Sequence, residues 1–170
     1  MELRRFLDVD NFMRHIRTNS HDNFFLYSLA RLSEEFRQLG NESFQSQNFE
    51  RAQEYYTSAI LQLDSNHVLF NNRAQAHLRL ENYSKALEDA VASIKLNPSV
   101  VKTCVIMARA LRGQKAYYKA LEVLQTLQRE AGGLNEAERE VICNLEEDIR
   151  NEIKYVEENI KRLKKNNIKF

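Results

Sequence analysis

The stretch that decides the fold is residues 67–100, which reads HVLFNNRAQAHLRLENYSKALEDAVASIKLNPSV. Shifting the sequence by 34 residues in either direction aligns this stretch with a related one on each side. Similar residues then fall into four columns: Ala52, Ala86 and Ala120; Phe49, Tyr83 and Tyr117; Gly40, Ala74 and Ala108; and Phe36, Phe70 and Cys104. Four columns in register over three periods indicate an internal repeat.

Each period predicts two helices joined by a turn. The first helices are expected at about 31–46, 67–80 and 101–113, and the second helices at about 50–62, 84–96 and 117–130. Pro98 predicts a turn between successive helix pairs, because proline cannot continue a helix and disfavours helical angles in the residue before it. Small residues let the two helices of a pair approach closely, and the aromatic residues fill the gap to the next pair.

The period and these residue types resemble the tetratricopeptide repeat, whose unit is a helix–turn–helix hairpin of 34 residues. Counting the repeats from Ser33, His67 and Val101 places the small, aromatic and alanine columns at the family's positions 8, 17 and 20. The family's proline at position 32 occurs here only as Pro98. The resemblance implies an all-α, right-handed solenoid of three repeats within residues 31–133: 33–66, 67–100 and 101–134.

Two flanking segments complete the predicted domain. Residues 1–30 carry many apolar side chains, among them Phe6, Phe24 and Phe25, and are expected to form a helical cap on the first repeat, with a partner-binding surface as the alternative. Residues 135–167 predict one long helix, with Asn135 and Glu138 in a capping arrangement and an apolar stripe from Ile142 to Leu163. Two interpretations stay open for it: a cap on the last repeat, or a helix whose distal stripe pairs with another helix in a dimer or a partner.

Composition argues against several classes of function. Lys plus Arg total 25 against 24 Asp plus Glu, which gives no general reason to expect binding to nucleic acid or membrane surfaces. The four glycines and four histidines lack phosphate-loop, nucleophile and metal-ligand spacing, so we expect no enzyme activity, cofactor or metal. Two cysteines in no recognisable pattern, with no export signal, predict reduced thiols and a cytoplasmic location. Attachment to a catalytic domain in a longer protein stays an open alternative.

In a stacked solenoid of this family, the first helix of each repeat lines a concave groove. The corresponding positions are biased to cations and amides, with Glu34 the only acid. Five of the residues expected to line the groove are Phe44, Gln75, Arg79, Ile106 and Arg112. Such a surface favours an extended anionic segment held by charge-assisted hydrogen bonds.

At these positions the chain resembles the dicarboxylate-clamp subclass, whose members hold the acidic EEVD-type C-terminal tail of heat-shock chaperones of the seventy- and ninety-kilodalton classes. The residues that match the clamp pattern are Arg37, Asn41, Asn72 and Lys102. The resemblance implies that the two cations neutralise carboxylates and that the two amides donate hydrogen bonds to the terminal carboxylate.

The fifth clamp position departs from the pattern. The subclass has arginine there, whereas this chain has Ile106, with Arg109 one turn further on as a partial substitute. Losing one charge-assisted bond lowers affinity by roughly ten- to a hundredfold. A different anionic peptide, or a scaffold that recognises an internal peptide, is therefore the alternative function, and the apolar Val68 and Val105 favour it. Asn41 and Asn72 also suit a purely structural role.

Overall fold

The computed structural model describes residues 20–98 and 101–167. Across these two ranges the chain forms seven helices and no strand. The helices are α1 (Ser20–Gln45), α2 (Phe49–Gln62), α3 (His67–Arg79), α4 (Tyr83–Leu96), α5 (Val101–Gly113), α6 (Tyr117–Glu130) and α7 (Glu136–Asn167). None of these helices is both long enough and apolar enough to cross a membrane.

The helices pair into three hairpins, α1 with α2, α3 with α4 and α5 with α6. Each hairpin packs on the next through α2 against α3 and α4 against α5, while α7 packs on α5 and α6. This is the predicted three-repeat solenoid, and the five helices from α2 to α6 begin and end within one residue of the expected bounds. The hairpins stack because none of them buries its own apolar face alone.

The small residues lie where the helices come closest, as predicted. All five alanines of the two small-residue columns are fully buried: Ala52, Ala74, Ala86, Ala108 and Ala120. Gly40 is packed more tightly still, because a Cβ atom added there would lie 2.5 Å from a ring carbon of Tyr56. The missing side chain therefore lets the aromatic ring of Tyr56 on α2 lie directly against α1.

The aromatic column connects successive hairpins. The guanidinium of Arg79 on α3 lies 4.7 Å from the ring centroid of Phe49, the first residue of α2. The ring of Tyr83, the first residue of α4, packs against the backbone of Gly113 on α5. Both contacts reach from one repeat to the next, which confirms the predicted role of this column.

The turn inside each hairpin contains one residue in the left-handed backbone conformation, at the same position in each repeat. Gln47, Glu81 and Lys115 have φ values of 60°, 57° and 61°. In the third turn, the backbone N–H of Ala116 donates to the carbonyl of Leu111 at 2.9 Å, which closes a Schellman motif. Glycine is the residue that normally takes this conformation, so these three non-glycine residues have an unfavourable backbone conformation.

The first helix differs from the prediction. It begins at Ser20 rather than near residue 31, because no glycine or proline interrupts the chain before Gly40. The expected boundary between a cap and the first repeat thus falls inside α1. Phe24 and Phe25 are 75% and 63% exposed, so they do not pack on the first hairpin as expected. Residues 1–19, which carry the rest of the predicted cap, lie outside the described residues.

The last helix begins with the predicted cap. The backbone N–H of Glu138 donates to Asn135 Oδ1 at 2.8 Å, and the N–H of Asn135 donates to Glu138 Oε2 at 3.0 Å. The proximal part of its apolar stripe is buried against α5 and α6, through Ile142, Leu145 and Ile149. The distal part is exposed, through Val156, Ile160 and Leu163.

We expect Lys115→Gly to raise the free energy of unfolding by about 1 kcal/mol, because glycine adopts a positive φ without the steric cost of a Cβ atom. This corresponds to a rise of roughly 2–4 °C in Tm for a chain of this length. Thermal unfolding followed by circular dichroism measures the change. Lys115→Ala is the matched control, since it removes the same charge and keeps the Cβ atom. An equal rise in both variants would assign the effect to charge and contradict the backbone explanation.

Candidate functional site

A small polar pocket lies in the groove between α1, α3 and α5. It has a volume of about 170 Å³, and we call it the amide pocket. Its lining residues are Asn41, Phe44, Gln45, Tyr56, Asn72, Gln75 and Lys102. Three of the four residues that match the clamp pattern therefore meet at one place, together with two of the predicted groove residues.

The two asparagines of the amide pocket share one hydrogen-bond network. Asn41 Oδ1 accepts from the hydroxyl of Tyr56 at 2.8 Å and from Asn72 Nδ2 at 3.2 Å. Since both donors meet the amide oxygen, the orientation of the Asn41 side chain is determined, and its Nδ2 group is left to donate to another acceptor. The bond from Tyr56 ties α2 to α1 and the bond from Asn72 ties α3 to α1, so the two asparagines have a structural role as well.

Tyr56 is the residue of this pocket that the sequence analysis missed. Its side chain is buried, and this burial raises the pKa of the phenol to about 12, against a smaller opposing effect of the nearby Arg37. The equivalent residues in the next two repeats are Ala90 and Leu124, both fully buried. A tyrosine in a core column needs an acceptor for its hydroxyl. A tyrosine at a repeat position that is otherwise apolar therefore predicts a nearby polar partner, and here that partner is Asn41.

Arg37, the fourth matching residue, does not line the amide pocket. Its Nε donates to Glu34 Oε2 at 2.7 Å and its Nη2 donates to Glu34 Oε1 at 2.5 Å. This hydrogen bonding is the main cause that raises the pKa of Arg37. The only acid among the predicted groove positions therefore already neutralises one of the predicted clamp cations, and an incoming carboxylate has to compete with it.

A second pocket continues the groove towards α7. It has a volume of about 340 Å³, and we call it the valine pocket. Its lining residues are Gln75, Val101, Lys102, Val105, Ile106, Arg109, Asn135, Ala137, Glu138 and Val141. Gln75 and Lys102 line both pockets, so the two pockets are neighbours on the same side of the solenoid. Ile106 is only 2% exposed and belongs to its base, whereas Arg109 is exposed.

Two residues predicted to line the groove make other contacts. Arg79 covers the ring of Phe49 and lines neither pocket. Arg112 donates from Nε to Glu152 Oε1 at 2.8 Å and from Nη1 to Asp148 Oδ2 at 3.1 Å. The expected groove position of Arg112 is thus corrected: α7 brings two acids to it, and the guanidinium holds α7 against α5.

A buried ionic cluster between α3 and α4 is separate from both pockets. Arg73 donates from Nε and Nη2 to the two carboxylate oxygens of Asp89, at 2.8 and 2.7 Å. His77 is buried beside Asp89, and burial lowers the pKa of its imidazole. In the described part of the chain, no three His, Cys, Asp or Glu side chains are grouped to hold a metal ion.

We expect the wild-type protein to lose stability as the pH rises from about 10 to about 12, because Tyr56 stays protonated when folded and ionises near its ordinary pKa of about 10 when unfolded. This contribution is complete below pH 10, since a raised folded pKa favours the protonated folded state. Urea denaturation of wild type and Tyr56→Phe, each at pH 8 and pH 11, isolates the contribution of Tyr56 ionisation to the free energy of unfolding. The other titrating groups are common to both proteins. The stability difference between the two proteins should shrink at pH 11. A constant difference would contradict the raised pKa.

Known proteins provide an independent comparison. No family model matches the sequence. Sperm-associated antigen 1 from Mus musculus is 34% identical over 113 residues, and heat shock protein STI1 from Saccharomyces cerevisiae is 32% identical over 115 residues. These matches cover 66% and 63% of this chain, but only 12% and 20% of the relatives, so the chain corresponds to a small part of each.

Solved structures resemble the chain along most of its length. The TPR2B domain of yeast Sti1 in a pHsp70 complex is 27% identical, with a TM-score of 0.67 over 72% of this chain and 98% of that domain. The second TPR domain of human RPAP3, in complex with the HSP70 peptide SGPTIEEVD, is 26% identical. Its TM-score is 0.61, and the match covers 74% of this chain and 98% of that domain.

Proposed function

We propose that this three-repeat helical solenoid, which resembles the TPR domains of yeast Sti1 and human RPAP3 solved with Hsp70 peptides, is a tetratricopeptide-repeat adaptor that binds the acidic C-terminal tail of a heat-shock chaperone. The observation that carries the proposal is the amide pocket, in which Asn41, Asn72 and Lys102 line one cavity of about 170 Å³. The proposal keeps the expectation of a cytoplasmic protein without catalytic activity of its own.

The chemistry of the amide pocket suits a carboxylate at a chain end. Asn41 offers an amide N–H whose direction is set by two bonds to its oxygen, and the exposed Lys102 offers a positive charge. A hydrogen bond between a neutral donor and a charged acceptor contributes about 1.5–3 kcal/mol, more than a bond between neutral groups. Phe44 adds an apolar wall to the same pocket, which suits the aliphatic atoms of the terminal residues.

Preorganisation strengthens this proposal. The Asn41 amide is already oriented by Tyr56 and Asn72, so a ligand does not have to order it on binding. Arg37 contributes less, because Glu34 holds its guanidinium in the absence of ligand. The site therefore uses a rigid amide and one available lysine, with a second cation that becomes a ligand contact only when Glu34 is displaced.

We expect the peptide SGPTIEEVD to bind in the micromolar range and its C-terminally amidated form to bind at least about tenfold more weakly, because amidation removes the charge that the pocket recognises. Isothermal titration calorimetry measures both affinities. Lys102→Ala should lower the affinity for the free-acid peptide by roughly tenfold or more. Lys119→Ala is the matched control, since it removes an exposed lysine that lines neither pocket. Equal binding of acid and amide would contradict carboxylate recognition.

We also expect Glu34→Gln to strengthen peptide binding about threefold or more, because it releases Arg37 from its ion pair and removes a negative charge from the groove. Glu35→Gln is the matched control, since this neighbouring acid pairs with Arg31 on the same helix. Calorimetry at two salt concentrations separates the local effect from a change in net charge. If both variants change affinity equally, Arg37 does not contact the peptide.

A second candidate function is assembly through the distal half of α7. Val156, Ile160 and Leu163 are 39%, 46% and 64% exposed and recur at three- and four-residue spacing on this helix. Such a stripe suits pairing with another helix, either of a second copy or of a partner. Failure of both the acid and the amidated peptide to bind would favour this candidate over tail recognition.

A further inference from the structure

We propose that the protein forms a dimer in which the distal half of α7 of each copy lies in a groove on the outer side of the other copy's last repeats. The groove, which we call the outer groove, lies between α4, α5 and α6 and has a volume of about 660 Å³. The proposal rests on the second candidate function, assembly through α7, and names both the partner and the surface that receives the helix. It does not depend on recognition of a chaperone tail.

The outer groove lies on the other side of α5 from the valine pocket. Cys104 and Met107 line the outer groove, whereas Lys102 and Val105 line the valine pocket. Successive residues of a helix are about 100° apart around its axis, so these two pairs lie on nearly opposite faces of α5. Val101, at the start of α5, is the one described residue that lines both. A docked helix and a bound peptide therefore occupy different faces of the solenoid.

The walls of the outer groove are apolar and its charges are negative. Its apolar side chains are those of Ile94, Val101, Cys104, Met107, Val123 and Leu127. Leu127 is buried, but the other five are half-buried and keep apolar surface in contact with solvent. Glu122 and Glu130 are the charged residues of the lining, both are exposed, and none of its described residues is a Lys, Arg or His. Such a groove favours an apolar helix that carries cations beside its stripe.

The distal half of α7 has the complementary character. Val156, Ile160 and Leu163 form one exposed stripe, because residues three and four apart lie on the same face of a helix. Glu158 is the last acid of the sequence, and four of the seven residues 159–165 are cations: Lys161, Arg162, Lys164 and Lys165. Opposite charges bring two surfaces together and disfavour wrong partners, while burial of the stripe supplies the apolar contact.

The stripe does not reach the outer groove of its own chain. The groove lies beside the connection from α6 to α7, since Ala131 lines it. From there α7 runs along the last hairpin to the opposite end, where Arg112 donates to Glu152 and Tyr118 donates to Glu157. Each later residue of the helix lies about 1.5 Å further along its axis and further from the groove. The helix that fills the groove therefore comes from another molecule, and a second copy carries the matching one.

Reciprocal insertion closes the assembly after two copies. Each copy offers one outer groove and one distal stripe, so two copies related by a two-fold axis cover all four surfaces. Insertion in one direction only would leave a groove and a helix open and would continue into a chain of copies. The two-fold arrangement also makes each apolar contact twice, which strengthens an interface whose single contacts are small.

Sedimentation equilibrium of the full chain tests the proposal. We expect dimers with a dissociation constant in the micromolar range. Reversing the groove charges (Glu122→Lys with Glu130→Lys) should weaken the dimer at least about tenfold, and so should reversing the helix charges (Lys161→Glu with Lys164→Glu). All four side chains are exposed, so these substitutions are compatible with folding. The matched control is Glu54→Lys with Glu88→Lys, which reverses two exposed acids outside the groove and should leave the dimer unchanged.

A mixture of the two charge-reversed variants is the decisive measurement. The groove variant keeps its cationic helix and the helix variant keeps its acidic groove, so these two surfaces attract each other. The reversed groove and the reversed helix attract each other as well. Mixing equal amounts should therefore restore dimers to within about threefold of the wild-type affinity, although each variant alone stays monomeric at the same concentration.

Three results would overturn this inference. One is a wild-type protein that stays monomeric at about 300 μM. Another is a dimer that survives reversal of the groove charges and is lost with Leu163→Glu, because it would arise from direct pairing of two α7 helices. The third is a mixture that does not recover dimers. The substituted residues line neither the amide pocket nor the valine pocket, so calorimetry with SGPTIEEVD tests tail recognition separately, and either proposal can fail without the other.

Discussion

The contact between Gly40 and Tyr56 is the constraint on which the site depends. Without a side chain at position 40, the ring of Tyr56 packs against the backbone of α1. That packing places the phenol hydroxyl 2.8 Å from Asn41 Oδ1, and Asn41 in turn accepts from Asn72 on the next repeat. One close approach of two helices thus determines both the packing of the first hairpin and the direction of the amide donor. Core and site are parts of the same arrangement.

Polar groups inside the solenoid specify how the hairpins stack. Thr103 is fully buried on α5, and its hydroxyl donates to Asn71 Oδ1 on α3 at 2.8 Å. Asn71 therefore makes a hydrogen bond inside the solenoid, while the next residue, Asn72, lines the amide pocket. Apolar contacts alone would allow small shifts between stacked helices, whereas a buried hydrogen bond is lost if the helices slide. Together with the bond from Asn72 to Asn41, this bond fixes the register that brings Asn41, Asn72 and Lys102 to one pocket.

The helix α7 takes the place that a fourth repeat would occupy, and its consequences reach the groove. Burial of Ile142 and Ile149 covers the apolar side of the last hairpin, which a solenoid end otherwise leaves in water. The two acids that bind Arg112 fix its position. Because the start of this helix also lines the valine pocket, the helix that covers the end of the solenoid also shapes one end of the groove.

The sequence by itself determined the repeats, the helices from α2 to α6 and the cap of α7 at Asn135, because these depend on local periodicity and on interactions within a few residues. It also placed Asn41, Asn72 and Lys102 among the groove residues, and these three line one pocket. Only the tertiary structure decided that Glu34 forms an ion pair with Arg37, that Tyr56 orients Asn41, and that Arg112 binds two acids of α7. Apart from the pair on α1, these contacts join residues far apart in the chain. All of them depend on side-chain direction and distance, which hydrophobic periodicity does not specify.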